Sequence, residues 1–257
     1  MDDYIDFINL VKKKSGIDLY LYKESQMKRR LKSLYEKKGF QSFVDFFKGM
    51  EKDKELYYEF LDRMTINVSE FFRNPNRWDV FEKNILPPLL KNNSKLKIWS
   101  AACSTGEEPY TLAMILLKYL KPSQFQIIAT DLDENVLSKA KIGVYNEKAI
   151  KDVPKDLLAK YFKQEGTIYQ VSDEIKKQIQ FKKHNLLLDA YEKSVDVIVC
   201  RNVLIYFTEE AKIDIYTNFS NSLNQNGILF VGSTEQIFHA EKYSFTSNET
   251  FFYKKSW

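Results

Sequence analysis

Four short apolar runs constrain the fold of this chain more than any other feature: Leu96 to Ala102, Ile127 to Thr130, Val195 to Cys200 and Ile228 to Gly232. Each ends in small or polar residues and is followed by a helical pattern. Strands that are apolar throughout bury both faces, and strands alternating with helices of this length build an α/β layer around a mostly parallel sheet. Ahead of them, residues 1–66 contain no proline and repeat apolar positions every three to four residues, as in Tyr4, Ile5, Ile8 and Val11 and again in Leu56, Phe60 and Met64. That spacing predicts a small all-α N-terminal domain. Residues 67–94 then serve as linker and connecting helix, and residues 95–257 form the α/β domain. Between 143 and 194 the alternation breaks. There KQEGTIYQV and IQFKKHNLL read as a small antiparallel β insertion, at about residues 150–184, and the terminal FFYKKSW reads as a closing strand that gives the sheet an antiparallel edge.

Composition removes several classes. With 44% hydrophobic residues, 19 Phe and 16 Tyr, the 257 residues carry ample material for a core and too much for a disordered chain. No apolar stretch reaches the roughly 18 residues of a spanning helix. The start, MDDYIDFINL, lacks the basic segment and cleavage site of a secretory signal, so a cytoplasmic protein is expected. Cys103 and Cys200 have no CxxC or Cys/His spacing. Neither a disulfide framework nor a metal site is expected, and both read as reduced core thiols.

Ligands of open α/β sheets bind beyond the carboxyl ends of the strands, where strand order reverses. The first run ends in Trp99-Ser-Ala-Ala-Cys-Ser-Thr-Gly-Glu-Glu-Pro-Tyr110, a turn of small residues entering a helix. Neither GxxxxGK[ST] nor GxGxxG is present, which argues against a phosphate cradle. Ser104 with Glu107, or Thr105 with Glu108, has capping-box spacing, and acids at a helix start suit an amine-bearing or cationic ligand better than a phosphate. The second run ends in Ala129-Thr-Asp131-Leu-Asp133. A carboxylate has two acceptor oxygens matched to a vicinal diol, so Asp131 is the expected ribose ligand and Asp133 the cap of the next helix. A nucleoside without phosphate that carries an amino group describes S-adenosylmethionine, and NAD fits less well. The third run continues as Cys200-Arg-Asn-Val-Leu-Ile-Tyr206, without the Pro-Pro-aromatic loop of exocyclic-amine methylases, and Cys200 is not in a Pro-Cys loop.

Charge is concentrated in residues 23–38. KESQMKRRLKSLYEKK holds seven Lys and Arg, among them Lys28, Arg29, Arg30 and Lys32, against two Glu, an excess larger than the +4 of the whole chain. As a helix it would carry Met27, Leu31, Leu34 and Tyr35 on one stripe and the cations on the other face. Such a face is either merely solvated or a dock for an acidic partner.

Taken together, Thr65-Ile-Asn-Val-Ser-Glu-Phe-Phe-Arg73, Ser100-Ala-Ala-Cys-Ser-Thr-Gly-Glu-Glu-Pro-Tyr110, Ala129-Thr-Asp131, Asn185-Leu186 and Cys200-Arg-Asn-Val-Leu-Ile-Tyr206 resemble the chemotaxis receptor glutamate methyltransferases, the CheR family. The likeness runs through nearly the whole chain. It implies a Rossmann-like methyltransferase domain with a small β insertion behind a helical domain, and transfer of a methyl group from S-adenosylmethionine to glutamate carboxylates of chemoreceptors during chemotactic adaptation. By position, Asn67, Ser69 and Arg73 match the first cofactor-contacting segment, Glu107 the acid near the methionine amino group and Asp131 the ribose ligand. Asn185 and Leu186 match the adenine-side contacts, and Arg201 and Asn202 the remaining ones. Tyr206 matches an aromatic near the reaction centre, which it would share with Arg73, while Lys28, Arg29, Arg30 and Lys32 would dock the substrate. The implied partner is the cytoplasmic helical region of a receptor, met by a monomer that binds no nucleic acid and does not insert into the membrane. Ser69 stands where the family commonly has Thr, and the QEGTIYQV loop is shorter than in members that tether to a receptor's C-terminal peptide, which leaves tethering open.

A glutamate carboxylate is already a nucleophile at neutral pH, so no strong general base is required. Attack on a sulfonium methyl annihilates charge, so the protein's task is alignment and exclusion of water. Two other classes remain: a nucleic-acid methyltransferase that follows phosphates with the basic helix, and a non-catalytic S-adenosylmethionine-binding module.

Overall fold

The computed structural model describes residues 3–65 and 69–256. Four helices open the chain: α1 (Tyr4–Ser15), α2 (Glu24–Lys37), α3 (Phe43–Lys52) and α4 (Lys54–Thr65). Their apolar stripes meet in one core in which the Phe7 ring contacts those of Phe43, Phe46, Phe47 and Phe60. On α2 the buried residues are Met27, Leu31, Leu34 and Tyr35, the stripe read from the sequence, while Arg29 and Lys32 are exposed and Lys28 and Arg30 half-buried.

Two short helices, α5 (Pro75–Val80) and α6 (Leu86–Asn92), lead into the sheet. A π-helical turn at Phe81–Ile85 joins them. Pro87 and Pro88 lack N–H groups and crowd the preceding turn, so the helix widens there and Leu86 N–H reaches back to Phe81 O.

The remaining elements alternate: β1 (Leu96–Ala101), α7 (Glu107–Leu116), β2 (Phe125–Asp131), α8 (Glu134–Ile142), β3 (Val144–Asn146), α9 (Lys155–Tyr161), β4 (Phe162–Glu165), β5 (Ile168–Val171), α10 (Asp173–Lys176) and β6 (Ile179–Lys183). They continue with β7 (Val195–Cys200), α11 (Glu209–Ser222), β8 (Leu223–Val231), β9 (Phe245–Glu249) and β10 (Phe252–Lys255). The main sheet runs β6-β2-β1-β7-β8-β10-β9. Its first five strands are parallel, while β10 and β9 are antiparallel. The closing strand read from FFYKKSW is thus β10, one position in from the edge. Alternate residues of the central strands face two separate cores. Trp99 and Ile198 pack toward α11 and the helical lobe, Ile98 and Val197 toward α5, α6 and α7. Cys103 and Cys200 are buried free thiols, and burial raises the pKa of each. Among the described residues no helix is long and apolar enough to cross a membrane.

The insertion differs from its expected form. A second sheet, β3-β5-β4, is antiparallel, and the KQEGTIYQV segment supplies its hairpin. The sheet starts at Val144 rather than near residue 150. IQFKK is not part of it: β6 pairs in parallel with β2, from Ile127↔Ile179 to Asp131↔Lys183. The βαβ rhythm therefore survives, with the small sheet inserted between α8 and β6.

Strand order places the reversal point between β1 and β7. From β1 the chain moves outward to β2 and β6, then returns to β7 on the other side of β1. The carboxyl ends of β1 and β7 consequently diverge around a crevice, as α/β topology requires.

Candidate active site

The crevice lies over these strand ends and beneath α4 and the start of α2. Its lining includes Ser69 and Arg73 from the linker, Ser104 and Glu108 after β1, Asp131 at the end of β2, Asn185 and Leu186 after β6, and Arg201, Asn202 and Tyr206 after β7. Segments far apart in sequence are thus assembled by parallel strands that all end at one side.

The turn between β1 and α7 is tight. Gly106 caps α7 with φ +95°, and a Cβ there would stand 2.9 Å from Ala140 Cβ, so glycine is required both for backbone angle and for space. Neither capping box forms, because Gly106, not Ser104 or Thr105, is the N-cap. Instead the Thr105 hydroxyl donates to Glu107 at 2.8 Å and the Ser100 hydroxyl to Glu108 Oε1 at 2.8 Å. The small sheet braces this turn, since Tyr145 Oη donates to Thr105 O at 2.5 Å. Asp131 holds it from the other side: Oδ2 accepts from Ser104 N at 2.8 Å and Oδ1 from Asp133 N at 3.0 Å. Asp133 caps α8 through Asn135 N, as its position suggested.

Charge in the crevice is buried, with Asp131 and Arg201 5% and 8% exposed. Burial pushes the Asp131 carboxyl up to about 6 despite its backbone hydrogen bonds. Burial also pushes Glu108 up to about 7, opposed by the nearby Arg201 cation and the Ser100 hydroxyl. Arg201 is pinned by donation from Nη2 to Arg73 O at 2.8 Å and Asn74 Oδ1 at 2.9 Å. Its guanidinium lies 5.3 Å from the Trp78 ring and 4.8 Å from the Phe230 ring.

The predicted residues are mostly brought together. Ser69, Arg73, Asp131, Asn185, Leu186, Arg201, Asn202 and Tyr206 share the crevice. Asn67 lies outside the described residues. Glu107 is buried and lines an adjacent cleft that shares Ser69 and Glu70 with the crevice, while Glu108 lines the crevice itself. Of the basic set, Arg30 places its guanidinium 4.8 Å from the Tyr206 ring, while Lys28 stands 5.3 Å from the Tyr4 ring and Arg29 and Lys32 are exposed. Sequence reasoning names Glu108 only as an acid at the helix start, and it misses Trp78 and His184. His184 immediately precedes Asn185 and stands just past the carboxyl end of β6, a strand end of the main sheet and the one signal that points to it.

The lining suits a nucleoside bearing a sulfonium and an amine. Among the described residues, four that line it carry a buried polar atom without a hydrogen-bond partner: Trp78 Nε1, His184 Nδ1, Arg201 Nε and Asn202 Oδ1. Buried polar groups are rarely left so, and four around one crevice match a ligand with several polar groups. Asp131 offers a diol acceptor, Glu108 an anion for an amine, and Met64, Trp78, Leu132 and Phe207 an apolar enclosure.

Comparison with known proteins bears on this arrangement. Residues 67–252 match the family described as CheR methyltransferase, SAM binding domain, and residues 2–65 match CheR methyltransferase, all-alpha domain. The chain belongs to the CheR methyltransferase family. A chemotaxis protein methyltransferase of Listeria innocua is 46% identical over 255 residues, covering 99% of this chain and 97% of that protein. One from Borreliella burgdorferi is 36% identical over 92% of this chain and 88% of its own length, and chemotaxis protein methyltransferase 1 of Pseudomonas aeruginosa is 34% identical over 91% and 90%. This CheR protein is accordingly an S-adenosylmethionine-dependent methyltransferase of chemotaxis. Its cofactor supplies an electrophilic methyl group.

Proposed function

We propose that this CheR protein esterifies glutamate side chains on the cytoplasmic helices of chemoreceptors, using a crevice in which Asn67, Ser69, Arg73, Asp131, Asn185, Leu186, Arg201 and Asn202 hold the cofactor. The helical lobe, residues 1–66, is the docking unit and the enzyme works in the cytoplasm as a monomer. The observation that carries the reading is the position of α2. Its Arg30 packs on Tyr206 at the crevice, which sets the basic helix beside the mouth through which a substrate must enter, with Arg29 and Lys32 exposed on the same helix. Acidic receptor surfaces would be steered there by charge.

The residues have separable tasks. Arg73 orients a carboxylate by paired hydrogen bonds, without gripping the attacking oxygen so tightly that it loses nucleophilicity. Trp78, Leu132, Phe207 and the Tyr206 ring exclude water, which would otherwise favour the separated ions over the charge-annihilating transition state. Glu107, which the resemblance assigns to the amine, and its neighbour Glu108, which lines the crevice, supply the negative charge that receives it. No general base is needed, because the nucleophile arrives ionised.

The test is transfer of tritiated methyl from labelled cofactor to receptor membranes. Label released by base as volatile methanol supports a glutamate ester. Base-stable label on protein or nucleic acid would overturn the reading.

A further inference from the structure

The loop that follows β7 is held by a residue that the crevice itself does not reveal. Oε1 of Glu235 accepts from Val203 N at 2.7 Å, Leu204 N at 2.7 Å and Ile205 N at 3.3 Å. Its Oε2 accepts from Asn202 N at 2.7 Å and Gly232 N at 2.7 Å. One carboxylate, 5% exposed, thus collects the N–H groups of four consecutive residues and of Gly232, the residue just past β8. Consecutive N–H groups that converge in this way form a concavity for an anion, and here the protein fills it with its own side chain. The approach is close enough to exclude a side chain at the strand end: a Cβ on Gly232 would stand 2.5 Å from Glu235 Oε2 and 2.7 Å from Asn202 N. Asn202 is bent to φ +61°, a conformation that needs outside support in a residue with a Cβ.

Glu235 lines the shallow cleft behind the loop, whereas Arg201, Asn202, Val203 and Tyr206 line the crevice in front of it. We propose that Glu235 is a positioning residue for methyl transfer: by clamping the 202–205 backbone from behind, it presents Arg201 and Asn202 to the cofactor and Tyr206 to the reaction centre. The inference rests on the crevice being the cofactor site. Glu235 touches neither cofactor nor substrate and acts through the peptide groups alone. Its charge matters as much as its shape. In Glu235→Gln, either orientation of the amide turns an NH₂ toward at least two backbone N–H groups, and in Glu235→Asp the shorter side chain cannot span from Gly232 to Ile205.

The experiment combines amide hydrogen exchange of the wild-type protein with both variants. The amides of residues 202–205 should exchange slowly in the wild type, although Asn202 and Val203 lie outside any regular element. In Glu235→Gln these amides should exchange at least about tenfold faster. S-adenosylhomocysteine should bind about tenfold more weakly by calorimetry, and kcat should fall about tenfold while the receptor KM stays within about twofold. Free exchange of the wild-type amides would overturn the inference even if neither variant folds. So would cofactor affinity and turnover within about twofold of wild type in both variants, provided that Asp131→Ala has lost affinity. Wild-type affinity in Asp131→Ala would instead overturn the assignment of the crevice itself.

Discussion

Arg201 Nη1 stands 3.9 Å from Glu108 Oε2, with the two side chains only 3% and 13% exposed. The contact is an ion pair at the outer limit of one, inside a crevice where Glu108 is pushed up to about 7. Because the folded state holds this proton more tightly than the unfolded chain, its contribution to stability is full below the ordinary carboxylate range and is lost as pH rises toward 7. The cofactor-free enzyme should therefore lose up to about 3 kcal/mol between about pH 4.5 and pH 7 from this group. Glu108→Gln, which can keep the Ser100 hydrogen bond, should flatten that part of the curve. Urea melts of both proteins across this range would check it, and identical pH profiles would remove Glu108 as the cause.

Asp131 predicts an opposite trend for binding. Its carboxyl is raised to about 6, so the ionised form that accepts a ribose diol grows in between about pH 5 and pH 7. Affinity for S-adenosylhomocysteine should rise over that interval in the wild type. Asp131→Ala should weaken binding by about 2 kcal/mol at neutral pH and remove most of the rise. Calorimetric titration at several pH values gives both results, and an unchanged dissociation constant would strike Asp131 from the site.

Docking and chemistry should separate cleanly on α2. Reversing Arg29 and Lys32 to Glu should slow receptor methylation about tenfold or more at low salt, with the gap closing as salt screens the surface. Cofactor binding should be untouched, since both residues are exposed and neither lines the crevice. Receptor turnover that ignores the reversal would show that the basic face is merely solvated.

Arg30 is a different matter, because its guanidinium packs against Tyr206. A double-mutant cycle of Arg30→Ala with Tyr206→Leu should return a coupling of about 0.5–1 kcal/mol in kcat/KM for receptor. Tyr206→Phe, which retains an aromatic face, should keep most of it. Strict additivity would mean that the contact is incidental.

Arg73→Ala should bind cofactor at least in part yet transfer methyl slowly in a single turnover. The carbonyl of Arg73 already anchors Arg201, and truncating the side chain leaves that backbone contact in place. A normal single-turnover rate would remove its orienting role.

What could be read from sequence alone follows the physics of each element. Central strands such as Val195–Cys200 are buried along their whole length, so their ends are legible and Asp131 is pointed to by strand topology, whereas Arg201 is pointed to only by the family resemblance. Strand β6 is an edge strand. Only Ile179 is fully buried while Gln180 and Lys183 are exposed, so the segment lacks the continuous apolar run of the central strands and reads like part of a hairpin, which hid His184. Glu107 and Glu108 are adjacent on a helix, where one residue turns the side chain by about 100°, so spacing alone could not choose between them. Trp78 arrives from a separate helix through tertiary packing and leaves no local signal. Glu235 had one: it lies just past the end of the fourth apolar run, where no partner for its charge is visible in sequence.

The seam between lobe and sheet limits how this architecture can be rearranged. Lys23 N donates to Tyr206 O at 2.9 Å, Thr208 N donates to Leu21 O at 2.9 Å, and the rings of Tyr22 and Phe207 meet at 4.9 Å. This rung of backbone pairing fastens the residues just before α2 to the peptide that carries Tyr206. A chimera spliced at residue 66 would exchange the lobe but leave its fastening behind, so the transplantable unit is the lobe together with residues 203–208. Grafting both should carry receptor preference from one enzyme to another, where swapping the helices alone would leave a mismatched joint.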